Sequence, residues 1–460
     1  MDQTSHEARM KYQTPAMLHR NVTSPPPVAS DSADTYFVTP ILGDEGRPIA
    51  HNMVLDISSG AGVTSFGHSA PGIKDAIVKQ VMTMPYAHSG QWTAPIIEDA
   101  GRAILVRSGP RFSMGGVTFY SGGSEAVEAA LKFGVQILSR DQRHTPILSR
   151  RHSYHGNTLG ALMVSDHPRC GFVDTAWFPG GYNNQSQNDF RFNAFTPSLV
   201  GQPEGIRLHE REAIWSLEGK LKRCYEDFDA KAIVLIETIG GTTLGIEPPT
   251  IAYLTGVRSM CDAYDAILIH DEVLSGNYRT GHLLASSRYG LMGDCNVAPD
   301  IAVLGKGITG GYFPMSAVVL SSRSRAIMEH CGKIAHTSTN QNHPIGCAAV
   351  VAAMDAYDNA LPMIRALSKH LETEIMPRLA CVKHVHSVSG VGTLWGVRFD
   401  PEKDGLHLEV KRQLMAAGIS CYTDGNMVDG KGNMLLFAPP CNIHGEDLES
   451  FCSAIESLEL

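Results

Sequence analysis

The chain has 460 residues, 43% of them hydrophobic, ample for a large core, and length alone suggests roughly three domains. Its formal charge is −9 with no basic stripe, so a nucleic-acid partner is not expected. No apolar stretch approaches the roughly 20 residues of a membrane helix, and the ten cysteines are scattered without a Cys-x-x-Cys; we therefore expect no membrane span, no structural metal and a reducing, cytoplasmic setting.

Residues 1–35 are polar, carry Ser24-Pro25-Pro26-Pro27, and read as an irregular arm. The start, Met1-Asp2-Gln3-Thr4-Ser5, lacks the charged-then-apolar order of a secretory signal. A strand is expected at 54–57, loops at 60–62 and 66–72, and amphipathic helices at 73–82 and 96–106. The loop between those helices holds Tyr86, His88, Gln91 and Trp92.

Val117-Thr118-Phe119-Tyr120 is a short strand running into Ser121-Gly122-Gly123-Ser124, which opens a helix through Lys132. Bare amides at a helix start bind anions, and glycine lets a phosphate come close. Taken alone, the same pattern is also an ordinary strand–turn–helix with a serine cap. A strand at 145–149 leads to Ser153-Tyr154-His155-Gly156-Asn157-Thr158 and a helix at 159–163. An aromatic at such a place either stacks on a planar ligand or simply packs. Residues 179–203 lack a period and read as a long functional loop, followed by a helix at 213–228.

Lys231-Ala232-Ile233-Val234-Leu235-Ile236-Glu237 is the next strand, then a helix at 253–264. Ala266-Ile267-Leu268-Ile269-His270-Asp271 and Ile301-Ala302-Val303-Leu304-Gly305-Lys306 are short apolar runs, each ending in one charged residue. Runs without polar alternation read as strands buried on both faces of a parallel sheet. Ligands of open α/β sheets sit beyond the carboxyl ends of the strands, so an aspartate and a lysine are delivered to one crevice. A carboxylate for a cationic ring nitrogen and an amine for an aldehyde together point to pyridoxal 5'-phosphate. One more strand is expected at 316–320, a polar loop at 337–344 and a helix at 345–357. The remainder reads as a separate α+β portion, with helices at 363–377, 406–417 and 446–458 and strands at 392–397 and 434–437.

The chain resembles the class III, omega-type aminotransferases, pyridoxal-phosphate enzymes of fold type I. The motifs that carry this run in order from Ser121-Gly122-Gly123-Ser124-Glu125-Ala126 through Ser153-Tyr154-His155-Gly156, Glu237 and Asp271-Glu272-Val273. Tyr278-Arg279-Thr280-Gly281, Pro299-Asp300-Ile301, Gly305-Lys306-Gly307, the loop 339–344 and Ala438-Pro439-Pro440 follow. The match covers roughly residues 40–455 and is specific through its order. It implies an α/β fold with a mostly parallel central sheet flanked by helices, plus a small α+β domain. That domain would be built from 36–85 and 346–460, with 86–345 as the large cofactor-binding domain.

The resemblance implies roles. Lys306 would hold the cofactor as a Schiff base and shuttle a proton. Asp271 would pair with the ring nitrogen, which deepens the electron sink. Val273 and Tyr154 would cover the two ring faces, with His155 beside them. Gly122, Gly123 and Ser124 would hold the phosphate, and Thr339 would reach the phosphate of a neighbouring subunit, implying a homodimer with shared active sites. Glu237 would lie near the substrate. The implied reaction moves an amino group from an amine donor to a keto acceptor in ping-pong fashion.

Three departures bear on the substrate. Leu274 stands where many members have a glutamine for the ring hydroxyl. Ser389 stands where an arginine often takes the substrate carboxylate. The run 423–432 lacks the mobile arginine some members carry, leaving Arg279 and Lys431 as cationic candidates. We therefore expect a primary amine whose carboxylate, if present, is bound weakly or elsewhere, with Trp92, Tyr86 and Arg279 as the substrate-pocket candidates. The alternatives are a decarboxylase, racemase or aminomutase on the same fold. A dinucleotide oxidoreductase would need a glycine spacing that 121–126 lacks.

Overall fold

The computed structural model describes residues 26–27, 29–42, 48–138, 145–167, 191–192, 203–290, 296–425 and 432–460. Strands β1 (Asp31–Ala33), β2 (Tyr36–Leu42) and β3 (Pro48–Asp56) form an antiparallel meander near the start. The central sheet follows: β4 (Gly116–Tyr120), β5 (Ile147–Arg150), β6 (Arg191–Phe192), β7 (Ile233–Glu237), β8 (Ile267–Asp271), β9 (Ile301–Leu304) and β10 (Ser316–Leu320). Its spatial order is β4-β10-β9-β8-β7-β5-β6. All neighbours are parallel except β10, which runs antiparallel to both β4 and β9.

Every residue of β7, β8 and β9 is buried, as apolar runs without alternation require. One face packs against the helix Gly123–Leu138, whose Ala126, Ala130, Phe133 and Ile137 meet Ile233, Ile269 and Val303. The other meets the helix Ile251–Ala263 through Tyr253, Leu254 and Val257 against Val234 and Leu268. Helices on both faces leave only the strand ends open to a ligand.

The C-terminal part holds β11 (Val385–Val391), β12 (Leu394–Phe399), β13 (Ile419–Ser420), β14 (Tyr422–Asp424) and β15 (Asn433–Phe437). Four of these form the antiparallel order β11-β12-β15-β14, while β13 pairs in parallel with β3 and ties the two ends of the chain together.

Several element bounds differ from the sequence expectations, the helix read at 213–228 beginning at Pro203 and the strand read at 54–57 spanning Pro48–Asp56, and two differences go beyond bounds. The helices placed at 345–357 and 363–377 are one helix, Pro344–His370, that runs through Pro362 into a π turn at Leu371–Ile375. A proline removes one helical hydrogen bond, but buried Ile364 and Leu367 continue the apolar face beyond it and hold the helix on course. The arm is not irregular to its end, because Asp31–Ala33 pairs with residues 36–38 through main-chain bonds that polar side chains do not announce. Residues 1–25, and all of the 179–203 loop except Arg191–Phe192 and Pro203, lie outside the described residues.

Candidate active site

The register sets Glu237 opposite Asp271 and Asp271 opposite Val303, so two carboxylates stand level where β7 and β8 end. Lys306 follows β9 on the same side. All three side chains line one cavity of about 350 Å³. Ser124, Tyr154, His155, Val273, Leu274 and Ser275 line it too, with Thr242, Tyr422 and Asp424.

Lys306 opens a short 3₁₀ turn with φ +45°, a left-handed conformation rarely seen outside glycine. The flanks fix it: Asn277 Nδ2 donates to Gly305 O at 2.8 Å, and the Tyr357 hydroxyl donates to Gly307 O at 2.8 Å. Burial pushes its ammonium down to about 8; Asp271 and Glu237 pull the other way, and Arg279 adds to the fall. Such an amine is available as a nucleophile near neutral pH.

Asp271 is buried and held at both oxygens. His155 Nδ1 donates to Oδ2 over 2.9 Å, and the Val273 amide donates to Oδ1 at 3.1 Å. The His155 amide in turn donates to Ser165 Oγ at 2.8 Å. Glu237 is buried with Arg150 Nη2 3.5 Å away. Burial raises its carboxyl pKa, and the Arg150 charge opposes that rise.

Val273 lies in a slot that only glycines allow. A Cβ on Gly123 would come 3.0 Å from Val273 Cγ1, and one on Gly305 would come 3.1 Å from it. The helix Gly123–Leu138 starts at this slot. The Gly122 amide does not face the cavity but donates to Glu125 Oε2 at 3.1 Å, as does that of Ser121. Ser124 Oγ accepts from the Asn157 amide at 3.0 Å, which leaves its proton to donate. Gly156, at φ +138°, makes room for that hydroxyl, since a Cβ there would sit 2.4 Å from Ser124 Oγ.

Within the single chain, the expected substrate residues Trp92, Tyr86 and Arg279 do not line this cavity. Trp92 is 69% exposed and Tyr86 42% exposed, and neither lines the cavity. The Tyr86 hydroxyl donates to Thr339 O at 2.8 Å. Thr339 borders a second cavity of about 590 Å³ with His88, Thr158 and His336. Arg279 is buried and donates from Nη1 to Pro439 O at 2.7 Å. Ser389 donates to Gly245 O and Ile246 O. Lys431 lies outside the described residues. Ser275, Thr242 and Asp424 line the cavity without belonging to any motif quoted above for the site. Ser275 had a signal in its spacing, two residues past Val273, but Thr242 and Asp424 meet only in three dimensions, at 3.0 Å.

The cavity fits pyridoxal phosphate on its own evidence. An amine with lowered pKa and an anchored carboxylate share it, two glycines keep a flat slot over Val273, and Ser124 stands at a helix start. Two buried polar atoms, Ser275 Oγ and His155 Nε2, have no hydrogen-bond partner among the described residues, as expected of groups that await a polar ligand.

Comparisons with known proteins agree. The family model Aminotransferase class-III matches residues 49–458. An aminotransferase of Gibberella zeae is 28% identical over 88% of this chain and 80% of its own length. An omega-aminotransferase of Caulobacter vibrioides is 27% identical over 87% of this chain and 88% of its own. The crystal structure of a taurine:2-oxoglutarate aminotransferase from Bifidobacterium kashiwanohense, solved with PLP and glutamate, superposes with a TM-score of 0.79 at 22% identity. That superposition covers 99% of this chain and 98% of the other, and shows the same fold.

Proposed function

Because the chain belongs to the class-III aminotransferases, pyridoxal-phosphate enzymes that move amino groups from amines to keto acceptors, we propose a role for each residue around its cavity. When bound, the cofactor supplies an aldehyde for the incoming amine and a protonated ring that takes up the electrons of a broken Cα–H bond. Lys306 would hold it through Nζ, and that same Nζ, neutral when free, would take the proton from the substrate Cα. Asp271, oriented by His155, keeps the ring nitrogen protonated. Gly123 and Ser124 receive the phosphate, with Gly122 shaping the turn, while Val273 and Tyr154 hold the ring faces. Glu237, backed by Arg150, borders the substrate.

The observation that carries this reading is Lys306 and Asp271 on one cavity at the ends of adjacent parallel strands. Borohydride reduction of the loaded enzyme, followed by peptide mapping, should place the label on Lys306. K306A should lose the label and roughly 10²–10⁴-fold in rate. A label elsewhere, or a protein that stays colourless with cofactor, would sink it.

Among the described lining residues Lys306 is the one lysine or arginine, with Glu237 and Asp424 at the same cavity. That supports a donor that is a primary amine with no need of a carboxylate. A screen of plain amines against α- and ω-amino acids tests this, and strict dependence on a donor carboxylate would refute it. A cytoplasmic setting belongs to the same proposal: no helix among the described residues is long and apolar enough to cross a membrane, and the described cysteines are free.

A further inference from the structure

Buried hydroxyls are nearly always hydrogen-bonded, because an unpaired one forfeits the bonds it made to water. Ser275 is one of several exceptions among the described residues. It is 2% exposed, and its Oγ has no hydrogen-bond partner among the described residues. Yet it lines the cavity of Lys306 and Asp271.

The turn that carries it is fixed on both sides. Glu272 accepts from the Ser286 amide at 3.0 Å, and the Gly276 amide donates to Glu272 O at 2.9 Å. Asn277 then bonds directly to the lysine-bearing loop at Gly305. The backbone that carries the hydroxyl is therefore held in place. The preceding Leu274 also lines the cavity but offers no polar atom.

We infer that Ser275 is a cofactor-binding residue whose Oγ–H donates to the hydroxyl-derived oxygen on the pyridine ring, next to the carbon that joins Lys306. This rests on the reading of Lys306 and Asp271 given above. The ring presents a nitrogen, an aldehyde, a phosphate arm and this oxygen, and Asp271, Lys306 and Ser124 account for the first three. The oxygen and the phosphate arm flank the aldehyde carbon on opposite sides. The sheet has that order: Ser124 follows β4, Lys306 follows β9, and Ser275 follows β8, with β9 between the other two. A donor on the β8 side of Lys306 is where the ring oxygen needs one. By drawing electron density onto itself, this hydrogen bond loosens the oxygen's hold on the proton at the lysine–cofactor nitrogen.

The test uses full-length protein and pyridoxal phosphate itself. Wild type, S275A and S275T are compared for cofactor dissociation constant and for the midpoint of the visible-band pH titration of the bound cofactor. S275A should hold the cofactor about tenfold more weakly, the effect of losing one charge-assisted hydrogen bond, and titrate at higher pH. S275T, which keeps the hydroxyl, should stay near wild type in both. Unchanged affinity and midpoint in S275A would overturn the inference, as would equal losses in S275A and S275T, which would mark a packing role. Wild type that binds no cofactor would instead bring down the reading of Lys306 itself.

Discussion

Lys306 carries two unusual features at one residue, a left-handed backbone and an ammonium lowered to about 8. A left-handed non-glycine residue costs on the order of 1–3 kcal/mol and persists where its surroundings over-determine it, as the bonds from Asn277 and Tyr357 do here. The lowered pKa sets a pH dependence. The neutral amine is the nucleophile, and its fraction grows as pH rises through the pKa. Covalent capture of cofactor by cofactor-free enzyme should therefore speed up with pH and level off above about 8. Asp271 and Glu237 raise this pKa, so E237Q should move the midpoint to lower pH. Stopped-flow rates across pH check both, and a midpoint near the ordinary lysine value of 10.5 would show that burial does not act on the amine. At this scale the sequence was legible where a charged residue ends an apolar run, as at Glu237, Asp271 and Lys306. It was not legible where a side chain's direction decides. Tyr86 and Trp92 stand out by aromatic type, and spacing along a chain does not say whether a loop residue faces its own chain's cavity or that of a second copy.

At the scale of elements, the site is the meeting of strand ends with a glycine turn. Strands β7, β8 and β9 read clearly in the sequence because burial on both faces removes polar residues from the run. The long helix Pro344–His370 did not, since its proline speaks locally while packing acts along the whole face. The C-terminal strands contribute Tyr422, Asp424 and Leu436 to the cavity through tertiary pairing that no local pattern encodes. The turn at Gly156 offers a test of how elements fix the phosphate end. A methyl there would collide with Ser124 Oγ, and φ +138° is unfavourable for any side chain. We expect G156A to lower stability by about 1–3 kcal/mol and to weaken cofactor binding, with Lys306 still able to form its covalent bond. Thermal melts with and without cofactor, alongside borohydride labelling, separate these effects. A variant with wild-type melting and affinity would show that Ser124 is not held by this turn. Ser389 is a second case: its hydroxyl bonds two carbonyls of the 245–246 turn, so S389A should cost roughly 1 kcal/mol of stability without the collapse of amine turnover expected if it bound substrate.

At the scale of the whole molecule, we propose that residues 36–85 and 346–460 share a small domain, an arrangement that the β3–β13 pairing supports. We also propose a homodimer with shared sites. Thr339 borders a different cavity from Lys306 within one chain, so it serves the phosphate only if a second copy brings it there. The segment that reaches it supports an interface: Tyr86, whose hydroxyl donates to the Thr339 carbonyl, stands in sequence between Met82, 82% exposed, and Trp92, 69% exposed. Large apolar side chains left in water on a rim beside a functional loop mark a contact face. This makes a complementation experiment decisive. K306A supplies a sound Thr339 but no lysine, and T339A supplies the lysine but an impaired phosphate contact. In a hybrid dimer the lysine of one subunit would meet the threonine of the other, restoring one intact site. Random mixing under dissociating conditions makes about half the dimers hybrid, each with one good site, so activity should recover to roughly a quarter of wild type. Sites completed within a single chain would give no recovery beyond the average of the two variants, because every lysine-bearing site would still carry the T339A lesion.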